Sequence, residues 1–449
     1  MTKSPILPIF ASSDREAEPW HRCTFLSRRM HDAMLSQNGI GPIAQGGKAF
    51  FKGLTLVAFL APIVSTTHAM TYEARQKLDL SEYTVKRPDA SYFDVQERID
   101  LLQETNNPML MHQVTRLIKG PSCQQKMALP PLKDQIRIPG FYPSPEEWRF
   151  ATRPLFQFED TVSNLAGTYV ASNDVYYAEC LVSFLDQWAQ ADALMDFYYH
   201  WDEPQAWFGT ESMIFAAAMA YSIVRPQVEG MDEEIARVNG WLNRLAHQHS
   251  SIPGGIQSSC CNNHFYRRAL YATMVGVLTE DQELFRFGIS AVYSALSDLT
   301  QESAFRLEMK RGRRATHYQN YALLYLITNM QIIARQGYDI FELEVDGKTI
   351  HDAIDFALEI IDDPAALGDL APLEQYEGFL KDDQYFSWME IYLSRFDKPQ
   401  LSELIKPMRP VYNRSAGGYM SLYFMDPSEQ RRKIIKEPER IEATRIFEE

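Results

Sequence analysis

Two clusters of polar residues in the middle of the chain carry side chains that could move a proton. The first is Asn262-Asn263-His264. The second runs from Lys310 to Tyr321 and has Arg311 and Tyr318 seven positions apart. A histidine has a free pKa of about 6.5, which suits proton transfer near neutrality. An arginine beside a tyrosine can lower the pKa of the phenol from about 10. Amide, imidazole, guanidinium and phenol groups together could remove a proton from a carbon beside a carboxylate.

Each of these residues also has a structural interpretation. Asparagine is a favoured N-cap, so Asn262 and Asn263 could simply begin a helix. A basic run is most often solvated surface, and a tyrosine in an aromatic-rich helix is most often core. Arg311 and Tyr318 share a helix face only if the helix begins before Gly312.

Apolar residues recur at helical spacing over most of the chain after residue 173. The pattern predicts helices at 174–199, 205–224, 232–249, 263–278, 281–299, 317–336, 349–364 and 381–395. Before residue 154 the sequence is irregular, apart from a short helix predicted over 92–102. Seven prolines between 121 and 154 indicate a lid or a surface strap. The interpretation is one all-α domain over 70–425, built from helical hairpins and followed by a charged tail over 426–449.

The first 69 residues are predicted to be a targeting segment. Lys48 and Lys52 precede an apolar run over 53–64, and Thr67-His68-Ala69 fits the small-residue cleavage pattern. The run is too short for a stable membrane anchor. Residues 1–47 form an unusually long lead, so we expect the true start at Met30 or Met34. The alternative is an uncleaved amphipathic segment.

The charge balance restricts the class of partner. The formal net charge is −15, which argues against nucleic acid. An anionic substrate then requires positive charge to be concentrated locally. The run Lys310–Arg314, with Arg267 and Arg268, is such a concentration. No metal or nucleotide-binding motif is present in the sequence, and we expect neither metal nor cofactor.

Four cysteines follow the targeting segment, namely Cys123, Cys180, Cys260 and Cys261. Export would permit disulfides, and four cysteines allow three pairings. The adjacent Cys260 and Cys261 either pair with each other or each reach elsewhere. In the first case Cys123 would pair with Cys180.

The segments Cys260-Cys261-Asn262-Asn263-His264 and Arg311 to Leu323 resemble the alginate lyases of polysaccharide lyase family five. The separations of His264 from Arg311 and from Tyr318, 47 and 54 positions, match those of the family's histidine, arginine and tyrosine. The stretch LDQWAQADAL at 185–194 is similar to a further family motif. The resemblance covers about residues 120–425.

The resemblance implies an incomplete (α/α) toroid with a deep central cleft. It also implies a periplasmic or secreted enzyme that cleaves a 1,4-linked polyuronate by β-elimination. The family pattern supports Cys123–Cys180 and Cys260–Cys261 as disulfides. It assigns Asn263, His264 and Arg311 to the substrate carboxylate. Tyr318 would take the C5 proton and protonate the leaving O4, whereas His264 would be the base for the opposite C5 epimer. We expect a monomer.

The chain departs from the family pattern in residues that would choose the sugar. Arg267 stands where many alginate-cleaving members have tryptophan, and Gln319 replaces a histidine. The residues expected to bind substrate are Gln205, Asn262, Tyr266, Arg267, Arg314, Gln319 and Tyr321. The substrate is therefore expected to be mannuronate-containing alginate or a related polymer. The alternatives are a lyase for glucuronan or another acidic exopolysaccharide, and a non-catalytic polysaccharide-binding homologue.

Overall fold

The computed structural model describes Met70 and residues 72–141, 143–196, 205–251 and 262–428. Within these residues the secondary structure is helical, with no β-strand longer than an isolated bridge. The α-helices are α1 Tyr72–Arg75, α2 Val95–Glu104, α3 Pro108–Ile118, α4 Cys123–Met127, α5 Pro145–Ser172, α6 Val175–Gln190, α7 Gln205–Val224, α8 Asp232–Ser250, α9 Asn263–Thr279, α10 Gln282–Ser297, α11 Arg306–Met309, α12 Ala315–Arg335, α13 Ile350–Asp362, α14 Ser387–Leu393, α15 Pro399–Ile405 and α16 Met420–Phe424. The all-α class predicted from the sequence is confirmed.

Helix α9 lies at the centre of the packing. It contacts α7, α8, α10 and α12, and nearly all of its residues are buried. Helix α7 is apolar on every side and is buried over most of its length, as expected of a helix surrounded by other helices. The sequential pair α9 and α10 forms a hairpin of the predicted kind. Closure of the hairpins into an incomplete toroid stays a prediction.

The longest helix, α5, begins inside the region 121–154 that the sequence predicted to be a strap or lid. It begins with Pro145 in the first turn, a position where the missing N–H has no helical partner, and it includes Pro154. The helix persists because Phe158, Val162 and Leu165 are buried at helical spacing. The prediction of irregular structure before residue 154 was therefore wrong at the start of α5, and it was also wrong over α3 and α4.

Two other helix predictions extended too far. The helix predicted over 174–199 ends at Gln190, because Asp192 and Leu194 adopt positive φ angles that a right-handed helix does not allow. The segment predicted as helix over 381–395 contains a 3₁₀ turn, Asp383–Phe386, followed by α14. No helix among the described residues is long and apolar enough to cross a membrane.

A disulfide joins α4 to α6. Cys123 and Cys180 are bonded, with their Cα atoms 5.9 Å apart, which confirms this predicted pair. The predicted Cys260–Cys261 pair lies outside the described residues. So do the predicted targeting segment over 1–69, with the alternative starts Met30 and Met34, and most of the predicted tail. The domain boundaries stay predictions.

Candidate active site

The predicted amide–imidazole pair begins helix α9. The Oδ1 atom of Asn262 accepts a hydrogen bond from the backbone N–H of His264 at 3.1 Å, so Asn262 is the N-cap. Asn263 is buried, whereas His264 keeps part of its surface exposed. Asn262 is therefore the residue that caps the helix. Asn263 does not have this role.

A buried carboxylate holds Asn263. Glu308 accepts a hydrogen bond from the backbone N–H of Asn263 at 2.6 Å, and the amide Nδ2 of Asn263 lies 3.1 Å from both carboxylate oxygens. The Nε atom of Arg311 lies 3.6 Å from the same carboxylate. Burial raises the pKa of Glu308, although Arg311 and the donors of Asn263 oppose that rise. Glu308 thus connects the first polar cluster to the second.

Glu308 was not predicted from the sequence. The signal that could have found it is its position three residues before Arg311, one helical turn away in α11 and the turn that follows. Its acidic side chain is fully buried, which is rare for a glutamate unless partners surround it.

Arg311 lies against the ring of Tyr318. The guanidinium carbon is 4.5 Å from the ring centroid, within the range of a cation–π contact. The two residues do not share a helix face, because α12 begins at Ala315. A 3₁₀ turn, Gly312–Arg314, separates Arg311 from α12, and Gly312 has a positive φ. The turn, rather than the seven-residue spacing on one helix, brings the two side chains together.

The electrostatics of Tyr318 differ from the expectation. Burial raises the pKa of Tyr318 above its usual value, and the guanidiniums of Arg311 and Arg314 oppose this rise without cancelling it. Tyr318 is therefore a neutral phenol at neutral pH. The arginine limits the rise in pKa, but it does not produce the net lowering that the sequence suggested.

The imidazole of His264 is stacked on a phenylalanine. The rings of His264 and Phe208 have centroids 4.1 Å apart and planes inclined by 10°. The Nδ1 atom is buried and makes no hydrogen bond within the described residues. Burial, followed by the charges of Arg267 and Arg311, lowers the pKa of His264 well below its usual value. His264 is therefore neutral at neutral pH.

Three helices present their first turns to this site. Phe208 lies in the first turn of α7, His264 in the first turn of α9 and Tyr318 in the first turn of α12. The N-terminal turn of a helix carries partial positive charge, although the N–H groups of Asn263 and His264 in α9 already donate to Glu308 and Asn262. With Arg311 beside them, these helix ends favour an anionic group such as a sugar carboxylate.

Three of the residues predicted to bind substrate retain exposed surface, namely Gln205, Arg314 and Tyr321. The Oε1 atom of Gln205 accepts a hydrogen bond from an indole N–H in the first turn of α5 at 3.2 Å. Tyr321 follows Tyr318 by one turn and accepts a hydrogen bond from the hydroxyl of Tyr325 at 2.6 Å. Their substrate contacts stay predictions.

The other four are used inside the protein. Asn262 caps α9. Tyr266 is 1% exposed and Gln319 is 0% exposed. Gln319 accepts a hydrogen bond from the backbone N–H of Phe305 and donates one to a carbonyl of α13. Arg267 is buried and donates two hydrogen bonds to Glu211. The side chains of Asn262, Arg267 and Gln319 therefore have partners inside the protein, and Tyr266 is buried. Substrate binding by these four stays a prediction.

Among the described residues, no group of three or more His, Cys, Asp or Glu side chains could hold a metal ion. The donors available to a substrate are amide, guanidinium, imidazole and phenol groups. Such a set can bind a carboxylate and exchange protons.

Comparison with known proteins identifies the family. The model of the family described as "Alginate lyase" matches residues 90–367, which include all four predicted catalytic residues and Glu308. The chain belongs to the alginate lyase family. This confirms the resemblance found from the sequence.

Individual relatives are distant but consistent with this family. A "Polysaccharide lyase" of Stenotrophomonas maltophilia is 28% identical over 47% of this chain, and the match spans 66% of that protein, just under two thirds of its length. An "Alginate lyase" of Azotobacter chroococcum is 26% identical over 64% of this chain and 77% of the relative. The enzyme class expected from the sequence is the class for which these relatives are named.

Solved structures agree with the alginate lyase fold. The crystal structure of alginate lyase A1-III from Sphingomonas species A1 matches with a TM-score of 0.71 and 30% identity. The match covers 78% of this chain and 99% of that one. A second structure of the same enzyme, complexed with a tetrasaccharide, matches with a TM-score of 0.70 and 31% identity, at the same coverage of both chains.

Proposed function

We propose that this chain is a lyase that cleaves a 1,4-linked polyuronate by β-elimination and leaves an unsaturated uronate at the new chain end. The observation that carries the proposal is the linkage of Asn263 and Arg311 through Glu308, with Tyr318 in contact with Arg311. Glu308 and Tyr318 follow Asn263 by 45 and 55 positions, and these contacts bring them close together. The amide, guanidinium and phenol groups are those that the removal of a proton beside a carboxylate requires.

The reaction needs three things from the site. The substrate carboxylate must be neutralised, so that negative charge can develop at C5. Arg311 and the partial positive charge of the first turn of α9 are suited to this role. Asn263, whose amide is held by Glu308, belongs to that turn. A base must then take the C5 proton. The electron pair of the broken C–H bond forms the C4=C5 double bond, and the C4–O4 bond breaks as an acid protonates O4.

Because His264 and Tyr318 are both neutral at neutral pH, two routes for the proton transfers are proposed. For one C5 epimer, the neutral imidazole of His264 is the base and the neutral phenol of Tyr318 is the acid, so no preparatory proton transfer is needed. For the other epimer, the C5 hydrogen and O4 lie on the same side and Tyr318 performs both steps. Its phenol must then first lose a proton to solvent, and the cation of Arg311 lowers the cost of that step.

The solved relatives support this assignment. The A1-III alginate lyase has been crystallised with a tetrasaccharide in one variant that replaces a tyrosine by phenylalanine and in another that replaces a histidine by alanine. The two replaced residues are 54 positions apart in that enzyme, as His264 and Tyr318 are here. The natural substrate of this chain is proposed by analogy to be an anionic polysaccharide.

The identity of the polyuronate substrate is also proposed. Alginate rich in mannuronate is the first candidate, and a glucuronan is the second, because Arg267 and Gln319 depart from the pattern of alginate-cleaving members. A periplasmic or secreted location is also proposed, on the basis of the N-terminal sequence and the presence of a disulfide between Cys123 and Cys180.

The test is a substrate panel. The purified chain is incubated separately with polymannuronate, polyguluronate and polyglucuronate, and the unsaturated product is followed by its ultraviolet absorbance. The proposal predicts absorbance with at least one polymer. New reducing ends without absorbance would indicate a hydrolase. Binding without any cleavage would indicate the non-catalytic homologue.

A further inference from the structure

Two residue pairs, each one helical turn apart, face each other across helices α7 and α9. Phe208 and Glu211 lie on α7, and His264 and Arg267 lie on α9. Phe208 stacks on His264, and Glu211 pairs with Arg267 through two hydrogen bonds of 3.2 and 2.9 Å. The guanidinium of Arg267 on α9 also lies 5.4 Å from the ring centroid of Phe208 on α7.

We propose that Phe208, Glu211 and Arg267 form a positioning unit that sets both the ring plane and the charge state of His264. In this proposal the three residues act through His264 and not on the reacting atoms. The inference rests on the proposed lyase function for its catalytic consequence, but the state of His264 can be measured without substrate.

The ring plane follows from the register of the two helices. The ion pair between Glu211 and Arg267 contains two hydrogen bonds, and both side chains are buried. Because hydrogen bonds are directional, this pair fixes the position of α7 along the axis of α9. One turn nearer the site, that register brings Phe208 flat against the imidazole. One face of His264 is then covered, and its buried Nδ1 has no hydrogen-bond partner in the described residues. Nε2 is therefore the ring nitrogen left to meet a substrate.

The charge state follows from an excess of positive groups. Glu211 also accepts a hydrogen bond from Arg268 at 2.9 Å, so one carboxylate is shared by two guanidiniums and the buried cluster carries a net charge of +1. Although burial opposes it, the charges of Arg268 and Arg267 hold the pKa of Glu211 well below its usual range, so Glu211 is ionised.

The remaining titratable groups around the site do not reverse this excess. His249 of α8 lies 3.9 Å from Glu211, and burial lowers its pKa, so it is neutral at neutral pH. From the turn before α12, Arg311 adds a positive charge that Glu308 balances. A second positive charge on His264 is disfavoured by this surplus and by the loss of water around the ring.

The decisive experiment is a titration of the histidine in the full chain by NMR. Histidine is labelled with ¹³C, and the His264 signal is assigned by its absence in His264→Gln. Wild type is compared with Arg267→Met and Glu211→Gln. We expect Arg267→Met to raise the pKa of His264, because a positive charge is removed. Glu211→Gln should lower it further, because a negative charge is removed.

The two variants are expected to shift the pKa of His264 in opposite directions, and this distinguishes a positioning role from structural damage. Loosening of the helix pair alone would expose the ring in both variants and would move both pKa values toward the ordinary value. Shifts of equal sign, or no shift in either variant, would overturn the proposal. If Arg267→Met does not fold, Glu211→Gln still decides, since a rise in the pKa of His264 contradicts the account.

A kinetic measurement tests the ring plane separately. Phe208→Leu keeps apolar volume but removes the flat surface, and it should lower kcat by roughly 10- to 100-fold with a smaller change in KM. Phe208→Tyr should restore most of the rate. The matched control is Phe150→Leu, since Phe150 is 80% exposed. Equal kcat for wild type and Phe208→Leu would overturn the role of the stack. Absence of lyase activity in every variant and in wild type would count against the proposed function, and the NMR titration would still test the inference.

Discussion

Glu308 accepts hydrogen bonds from both the backbone and the side-chain nitrogen of Asn263, and it does so from a fully buried position. The same carboxylate lies 3.6 Å from Arg311. Two groups expected to meet the substrate carboxylate are thus held by one anion behind them. Without this anion, the amide could rotate and the partly buried guanidinium would lose its anionic partner.

Replacing Glu308 should therefore reduce catalysis more than binding. In Glu308→Gln, an amide N–H₂ would face the N–H₂ of Asn263, and Arg311 would lose its anionic partner. We expect kcat to fall by roughly 100-fold or more. Steady-state kinetics on the best polymer of the panel would measure this. Glu302→Gln is the matched control, because Glu302 lies on the surface of the same region. Wild-type kcat in Glu308→Gln would remove Glu308 from the site.

Arg311→Ala should damage both kcat and KM. The guanidinium is expected to neutralise the substrate carboxylate in the ground state and the developing charge in the transition state. A loss of roughly 100-fold or more in kcat/KM is expected. Lys310→Ala provides the control, because Lys310 is the exposed neighbour in the same turn. Equal losses in both variants would indicate a general electrostatic effect of the basic run.

Glu159 makes the stability of the fold depend on pH. Burial raises its pKa to about 7, although Arg414 and the hydroxyls of Ser212 and Ser415 oppose the rise. The folded state therefore retains a proton that the unfolded chain loses near pH 4.3. The stability this gives is complete below pH 4.3 and is lost as pH rises through 7.

Glu159→Gln should remove that pH dependence. The Tm of the variant, relative to wild type, is expected to be higher at pH 8 than at pH 5, because glutamine cannot ionise. Thermal denaturation followed by circular dichroism at both pH values would measure the difference. Glu179→Gln, at an exposed position, should show no such difference. A constant offset in Glu159→Gln would contradict the assigned pKa.

The disulfide between Cys123 and Cys180 should contribute to stability through the unfolded chain. It closes a loop with a sequence separation of 57 residues. Loss of such a bridge costs about 2–4 kcal/mol in free energy of unfolding. Chemical denaturation of a Cys123→Ser/Cys180→Ser variant, compared with wild type under non-reducing conditions, would measure this cost. Equal midpoints would show that the bridge does not restrain the unfolded state.

Much of the helical framework could be predicted from the sequence. Helix α7 has the predicted bounds, and α9 differs from its prediction by one residue at its C-terminus. Both carry long apolar patterns with clear ends. Helix α5 could not be recognised in the same way. Its prolines are turn signals, and only the burial of its apolar side chains against α6 and α7 shows that tertiary packing outweighs them.

The site was predictable only in part. His264, Arg311 and Tyr318 were predicted through residue type and spacing, and their catalytic roles stay predictions. The structure places Arg311 against Tyr318 and among the charges that act on His264. Glu308 and Phe208 were missed because their roles depend on contacts between separate helices. Tyr266 and Gln319 were predicted to bind substrate because polar residues next to predicted catalytic residues look available in the sequence. In the structure both are buried, which the sequence did not indicate.

The most direct test of the account is Tyr318→Phe, since the loss of one hydroxyl removes the proposed acid on either route. Ultraviolet product formation and calorimetric binding of a uronate tetrasaccharide would be measured for the variant, for wild type and for Tyr176→Phe, a substitution at a residue that is 50% exposed. The account predicts that Tyr318→Phe binds the tetrasaccharide and forms no product above background, while the control matches wild type. Product formation by Tyr318→Phe at a rate near that of wild type would contradict it.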